Sequence, residues 1–200
     1  MAGGFLTAWQ DRSHVTVPTL TAIYLDFQDP FSHRAWKWVS LLPERASVEV
    51  RPYSLDGESN PWDREQPSTG LELLALGELA RETGRDVHLA FIDAAFAAVH
   101  DHEADASSVE AWLALGSKVG LDLDAFTADA ERWRAEVGLW HEEARDECGV
   151  FGVPTTVWDG EHALFLRLLD ADLDAERARR LLDDLADLVV QPVKEVRRTV

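Results

Sequence analysis

A single cysteine, Cys148, stands in this chain. One thiol excludes an intrachain disulfide and any dithiol reaction within one chain. Positive charge is the second shortage. Lys and Arg together number 19 against 37 Asp and Glu, a formal net charge of −18. Such a field repels nucleic acid and anionic membrane surfaces, so neither is an expected partner. The acidity itself reads as solubility. Long apolar runs are also missing: no stretch approaches the roughly 20 residues of a membrane span. The start, Met1 to Gln10, has no Lys or Arg and no long apolar run. It does not read as a secretory signal, and cytoplasmic residence is the expectation.

What is present suits one globular domain, or one domain with an insertion. Residues 1–17 read as a lead-in, with a short helix around Phe5-Leu6-Thr7-Ala8-Trp9. Residues 20–27 are rich in β-branched and aromatic side chains, which predicts a strand. Asp29-Pro30 is a strong helix start, with Asp as N-cap and Pro in the first turn, and Pro43 stops that helix near Leu42. Residues 47–53 alternate with period two and predict a second strand. Residues 54–70 are a long loop. Helical periodicity then holds to Cys148: Leu71, Leu74 and Leu79 share a face, Leu89, Ile92, Phe96 and Val99 form a stripe, and Trp133, Val137, Trp140, Ala144 and Cys148 form another. Three to five packed helices are expected. Strand character returns at residues 155–158. Asp159-Gly160 is a hairpin turn signal, and residues 162–168 are the returning strand. A last helix starts near Asp174.

Two short segments carry the chemistry. Asp29-Pro30-Phe31-Ser32 lies between a strand and a helix, and Gly152-Val153-Pro154-Thr155 enters a later strand. A helix N-terminus carries partial positive charge and unpaired N–H groups. A thiolate is stabilised there. Asp29 instead places a permanent carboxylate at the junction, where it caps the helix and repels a second anion.

The chain resembles the DsbA family, including the branches that hold 2-hydroxychromene-2-carboxylate isomerase and kappa-class glutathione transferase. The resemblance covers about residues 19–190. It rests on Tyr24-Leu25-Asp26-Phe27-Gln28-Asp29-Pro30-Phe31-Ser32 and on Cys148-Gly149-Val150-Phe151-Gly152-Val153-Pro154-Thr155. It implies an α/β protein with a thioredoxin fold: a central mixed sheet with an all-α helical insertion. Residues 18–66 and 148–194 would form the thioredoxin-like domain, and 67–147 the insertion. It also implies that Pro154 is a cis-proline, leaving the Val153 backbone free to pair with an extended ligand. DsbA-like oxidoreductases carry Cys-Pro-x-Cys at the tetrapeptide, and the isomerase and transferase branches resemble Ser-Pro-Tyr-Ser. This chain departs from both at its first residue, Asp29, and keeps Pro30, an aromatic Phe31 and Ser32.

The reading that follows is a DsbA-like protein without the dithiol motif, redox-inactive, with a cleft for a small molecule or an extended peptide. A second reading is an isomerase or glutathione-transferase-like enzyme using Ser32 with Asp29 or His33. A third is a structural or partner-binding protein with a vestigial cleft. The candidate catalytic residues are Asp29, Ser32 and His33. The candidate ligand-binding residues are Pro30, Phe31, Val153 and Pro154. No metal is assigned, and the one cofactor class left open is a low-molecular-weight thiol. Each residue has a structural reading beside the functional one. Asp29 as a cap contributes roughly 1 kcal/mol, against a general base facing a ligand. Ser32 is a polar residue of the first turn, and Cys148 a small core residue. His100-Asp101-His102-Glu103 is a solvated helix end, since alternate residues do not share a face. Trp36 and Trp38 cannot both face one side, so one is core and the other lines the cleft to the helical insertion. Trp62 and Arg64, in the long loop, are within reach of a ligand there.

Overall fold

A computed structural model describes residues 17–56, 61–63, 65–101, 108–169 and 172–191. The expected lead-in helix around residues 5–9 lies outside the described residues, as do Arg64, His102 and Glu103. The chain runs through β1 (Leu20–Leu25), α1 (Pro30–Ser40), a 3₁₀ turn (Pro43–Ser47), β2 (Glu49–Pro52) and a second 3₁₀ turn (Pro61–Asp63). It continues through α2 (Thr69–Thr83), α3 (Arg85–Phe96), a π-helical turn (Ala97–Asp101), α4 (Val109–Lys118), α5 (Leu123–Ala128) and α6 (Ala130–Asp146). It closes with β3 (Thr155–Trp158), β4 (His162–Phe165) and α7 (Ala175–Val189).

The four strands form a mixed sheet in the order β2-β1-β3-β4. β1 pairs parallel with β2, with Tyr24 opposite Arg51, and antiparallel with β3, with Ile23 opposite Thr156. β3 and β4 form the hairpin expected from Asp159-Gly160. Both turn residues have positive φ, 52° and 78°, which suits the right-handed twist of the strands. Alternation along β1 sends Ile23 and Leu25 into the main core with α1, the helical block and α7. Ala22 and Tyr24 face a smaller cluster with Tyr53, Ala144, Val150, Val153 and Val157. Trp36 and Trp38 are both buried on opposite sides of α1. The Trp36 indole N–H donates to Asp93 of α3 (2.8 Å), and that of Trp38 donates to the Ala178 carbonyl of α7 (3.0 Å).

The helices between β2 and β3 pack around α2, which touches α3, α4 and α6. The expectation of one apolar face on α2 needs correcting. Every residue from Gly70 to Ala80 is buried, so α2 is the axis of the block. Two of those residues are acidic, and buried charge must be paired. Glu72 meets Arg134 of α6 at 2.6 Å, and Glu78 meets Arg81 and the Trp140 indole N–H. β3 has the expected bounds, but three strands and the first helix are shorter than expected: β1 stops at Leu25, β2 spans only Glu49–Pro52, α1 stops at Ser40 and β4 at Phe165. Cys148 is half-buried, with its Sγ 4.0 Å from the Tyr24 hydroxyl, rather than a fully enclosed core residue. Among the described residues no helix is long and apolar enough to cross a membrane.

Candidate functional site

The junction of β1 and α1 is built by capping. Asp29 takes extended backbone and its Oδ2 accepts from the Ser32 N–H at 2.7 Å. The same oxygen accepts from the Ser32 hydroxyl at 2.8 Å, and that hydroxyl accepts in turn from the Asp26 N–H at 3.3 Å. Ser32 thus has its one proton and one of its lone pairs engaged, and it is 0% exposed. Asp29 is 9% exposed. The two residues standing where a dithiol would sit are joined to each other as a closed cap.

One layer below lies Asp26, a buried carboxylate that residue pattern alone does not single out. Its oxygens accept from the Gln28 N–H (2.8 Å) and the Leu55 N–H (2.9 Å). Burial pushes its pKa up to about 6, against the opposing effect of those two N–H groups. The signal available in the sequence was an acid at the end of an apolar strand.

His33 does not join Asp29 and Ser32. Its ring turns toward the helical block, stacking on His100 (4.7 Å) and Phe96 (5.5 Å), with its Nε2 3.7 Å from Asp101. Burial, then the nearby charges of Lys37 and His100, pull its pKa down to about 4. His100 is not at a solvated helix end. It is half-buried, and its Nε2 lies 2.9 Å from the Phe27 carbonyl, so that nitrogen carries the proton. The ring is presented by the π-helical turn, a distortion that residue spacing does not reveal. His33, Trp36, Lys37, Asp93, Phe96 and Asp101 line a shallow groove of about 180 Å³ on that side of α1. Trp62, the loop residue expected within reach of a ligand, packs instead on Gly138 and His141 of α6. Among the described residues no group of three or more His, Cys, Asp or Glu is placed to hold a metal ion.

The Val153–Pro154 peptide bond is cis. Val153 is 2% exposed and Pro154 is buried, so their backbone does not line an open cleft. The Pro154 carbonyl accepts from the Leu166 N–H at 3.0 Å, which ties this loop to the strand after the hairpin. Phe165 packs on Gly152, where a Cβ would lie in ordinary van der Waals contact with its ring at 3.4 Å. Phe151 packs on Phe165 with the ring centroids 5.0 Å apart and the planes tilted by 47°, and it is 77% exposed. Across the junction, the Arg167 guanidinium lies 4.8 Å above the Phe31 ring and 5.1 Å from Phe165. Arg34 covers Phe31 from within α1 at 5.2 Å. Pro30 is exposed and Phe31 half-buried. The surface beside the cap is therefore an assembly of aromatic rings and guanidinium groups. Phe165, Arg34 and Arg167 were not anticipated, because only the folded hairpin brings residues 165–167 to Phe31.

Compared by sequence, the chain matches no protein-family model and no curated protein. Solved structures do match. The thiol-disulfide exchange protein α-DsbA2 of Wolbachia pipientis superposes with a TM-score of 0.55 at 17% identity, covering 82% of this chain and 80% of that one. MdbA, a thiol-disulfide oxidoreductase of Corynebacterium diphtheriae, gives 0.57 at 10% identity, covering 90% and 86%. A complex of Proteus mirabilis DsbA with a non-covalently bound peptide, PWATCDS, gives 0.54 at 14% identity, covering 88% and 99%. The fold is DsbA-like. At these identities the likeness establishes the thioredoxin fold with its helical insertion. The DsbA-like fold here holds one cysteine, half-buried against Tyr24 on the smaller cluster and outside the tetrapeptide.

Proposed function

We propose that this DsbA-like protein is a redox-inactive binding protein that docks an extended peptide segment of a partner on the surface over the α1 N-terminus and the Pro154 loop. One observation carries the reading. The residues at the dithiol positions, Asp29 and Ser32, are bonded to each other and closed off, while Phe151, set against Phe165 and linked to Phe31 through Arg167, stands 77% exposed. A dithiol cycle needs a nucleophilic thiolate and a resolving thiol, and this junction has neither. An exposed aromatic cluster is a recognition feature. The peptide-bound Proteus mirabilis DsbA supports the choice of an extended segment. An enclosed small-molecule cleft is less favoured, because Val153 and Ser32 are buried.

Two measurements test this. In an insulin-reduction assay the unmodified protein is expected to show no turnover, and Asp29→Cys with Ser32→Cys to introduce measurable turnover. Robust turnover by the unmodified chain that persists in Cys148→Ser would overturn redox inactivity. For binding, the protein is panned against random dodecapeptides displayed on phage. Recovered peptides should bind the wild type and be lost on Phe151→Ser. Recovery of none would overturn the docking reading.

A further inference from the structure

Among the described residues three arginines have no Asp or Glu partner: Arg34, Arg167, and Arg85, which donates instead to the Arg45 and Val48 carbonyls. The net charge is −18, and carboxylate partners are abundant. Arg45, Arg51, Arg81, Arg132, Arg134, Arg145, Arg177, Arg179 and Arg180 each pair with an Asp or Glu. Arg167 is exposed, and among the described residues its contacts are the faces of Phe31 and Phe165, with no carboxylate. Arg34, on the same Phe31 ring, likewise lacks one: its Nη1 donates to the Leu168 carbonyl at 3.3 Å. Asp29 begins the same helix, but its Oδ2 is held by Ser32 and the residue is 9% exposed. The aromatic surface therefore carries local positive charge on an acidic molecule.

A guanidinium held over aromatic rings uses none of its N–H donors on a carboxylate, and Arg167 is exposed, so its N–H edge is within reach of a ligand. That edge matches a carboxylate in two parallel hydrogen bonds. Beside it, Phe151 is 77% exposed and Leu169 58% exposed, which gives an apolar contact next to the charge. We infer that this surface reads an acidic peptide: an Asp or Glu carboxylate seated on the Arg167 edge, with a neighbouring apolar side chain on Phe151 and Phe165. The inference rests on the docking reading above and names its partner chemistry. A chain segment is the occupant because the site is an exposed face, whereas small ligands favour concave pockets that enclose most of their surface. The charge complementarity also sets specificity, since a basic segment would meet two unneutralised cations.

The same phage-displayed dodecapeptides, panned in parallel against wild type, Arg167→Glu and Phe151→Ser, test it. Arg167 is exposed and holds no buried partner, so the charge reversal should leave the far-UV circular dichroism unchanged. Wild type is expected to enrich Asp and Glu beside an aromatic or aliphatic residue by about fivefold, the scale of one modest ion pair. Arg167→Glu should shift the enrichment to Lys and Arg, and Phe151→Ser should lose the apolar preference. Apolar enrichment with the same charge composition on wild type and Arg167→Glu overturns the carboxylate reading and leaves peptide docking standing. No enrichment on wild type, or peptides that both variants retain, overturns both. If benzoate raises the melting temperature of wild type but not of Arg167→Glu, and no peptide is enriched, the surface takes a small aromatic acid and the peptide inference falls.

Discussion

Burial moves the titrations of Asp26 and His33 in opposite directions. The folded pKa of Asp26, about 6, lies above its ordinary value. Its ionised form is therefore disfavoured by folding above that pH, and the cost disappears as pH falls from about 6 toward 4. Replacing it with Asn removes the titration. The stability difference between wild type and Asp26→Asn should move in favour of wild type, by on the order of 2 kcal/mol, when urea unfolding at about pH 4 is compared with about pH 7.5. An unchanged difference would mean that Asp26 ionises normally. His33 has a folded pKa of about 4, below its ordinary value. The unfolded chain then binds the proton first, so stability present above about pH 6.5 is lost as pH falls toward 4. His33→Phe keeps a ring against Phe96 and His100 and should flatten that acid loss. His88, lowered to about 3 by burial and by Arg81 and Arg85, and His141, lowered by burial and by Arg145, will add to the same acid loss.

At the scale of elements, the β2 edge of the sheet is handled with arginine. The Tyr53 N–H donates to the Leu25 carbonyl, so the alternate carbonyls of β2, Val48 and Val50, point away from β1. Arg85 donates to the first and Arg81 to the second. Pro52 has no N–H to present. An edge covered this way offers little to a pairing strand. Arg81 also neutralises Glu78, whose pKa burial raises, and lies 4.8 Å over the Trp140 ring. Arg81→Met should therefore lower stability by about 3 kcal/mol, the usual consequence of leaving a buried charge without its partner. Arg81→Met combined with Glu78→Gln should recover a large part of it in denaturant melts. A single substitution without effect would show that Glu78 is neutral already.

For the molecule as a whole, the charge of −18 is the largest electrostatic influence outside the core. Self-repulsion of like charges opposes the compact state, and salt screens it. The Debye length falls from about 30 Å at ~0.01 M to about 8 Å at ~0.15 M ionic strength. The melting temperature should therefore rise over that range in sodium chloride. A fall would mean that the surface ion pairs of α6 and α7 outweigh the repulsion. The element order was legible in the sequence for local reasons. Asp29-Pro30 caps α1, Asp174 caps α7, Asp159-Gly160 turns the hairpin, β1 is rich in β-branched and aromatic side chains, and the residues of β2 alternate. The burial of α2 on all sides was not legible, because Glu72 and Glu78 read as solvent-facing until Arg134, Arg81 and Trp140 are brought to them.

By itself the sequence determined the chemistry that is absent and the order of elements that remain. A lone Cys148 and an Asp29-Pro30-Phe31-Ser32 tetrapeptide exclude a dithiol reaction within one chain whatever the packing. Capping and periodicity act over a few residues and are written locally. Tertiary structure decided what the site became. It joined Ser32 to Asp29 and to the Asp26 N–H, drew His33 away to His100, and buried Val153. It also carried Arg167 from the end of the hairpin onto Phe31 of α1 without giving it a carboxylate. Burial and charge pairing depend on which distant segments meet, and that is a property of the packed sheet and helices rather than of any stretch of chain.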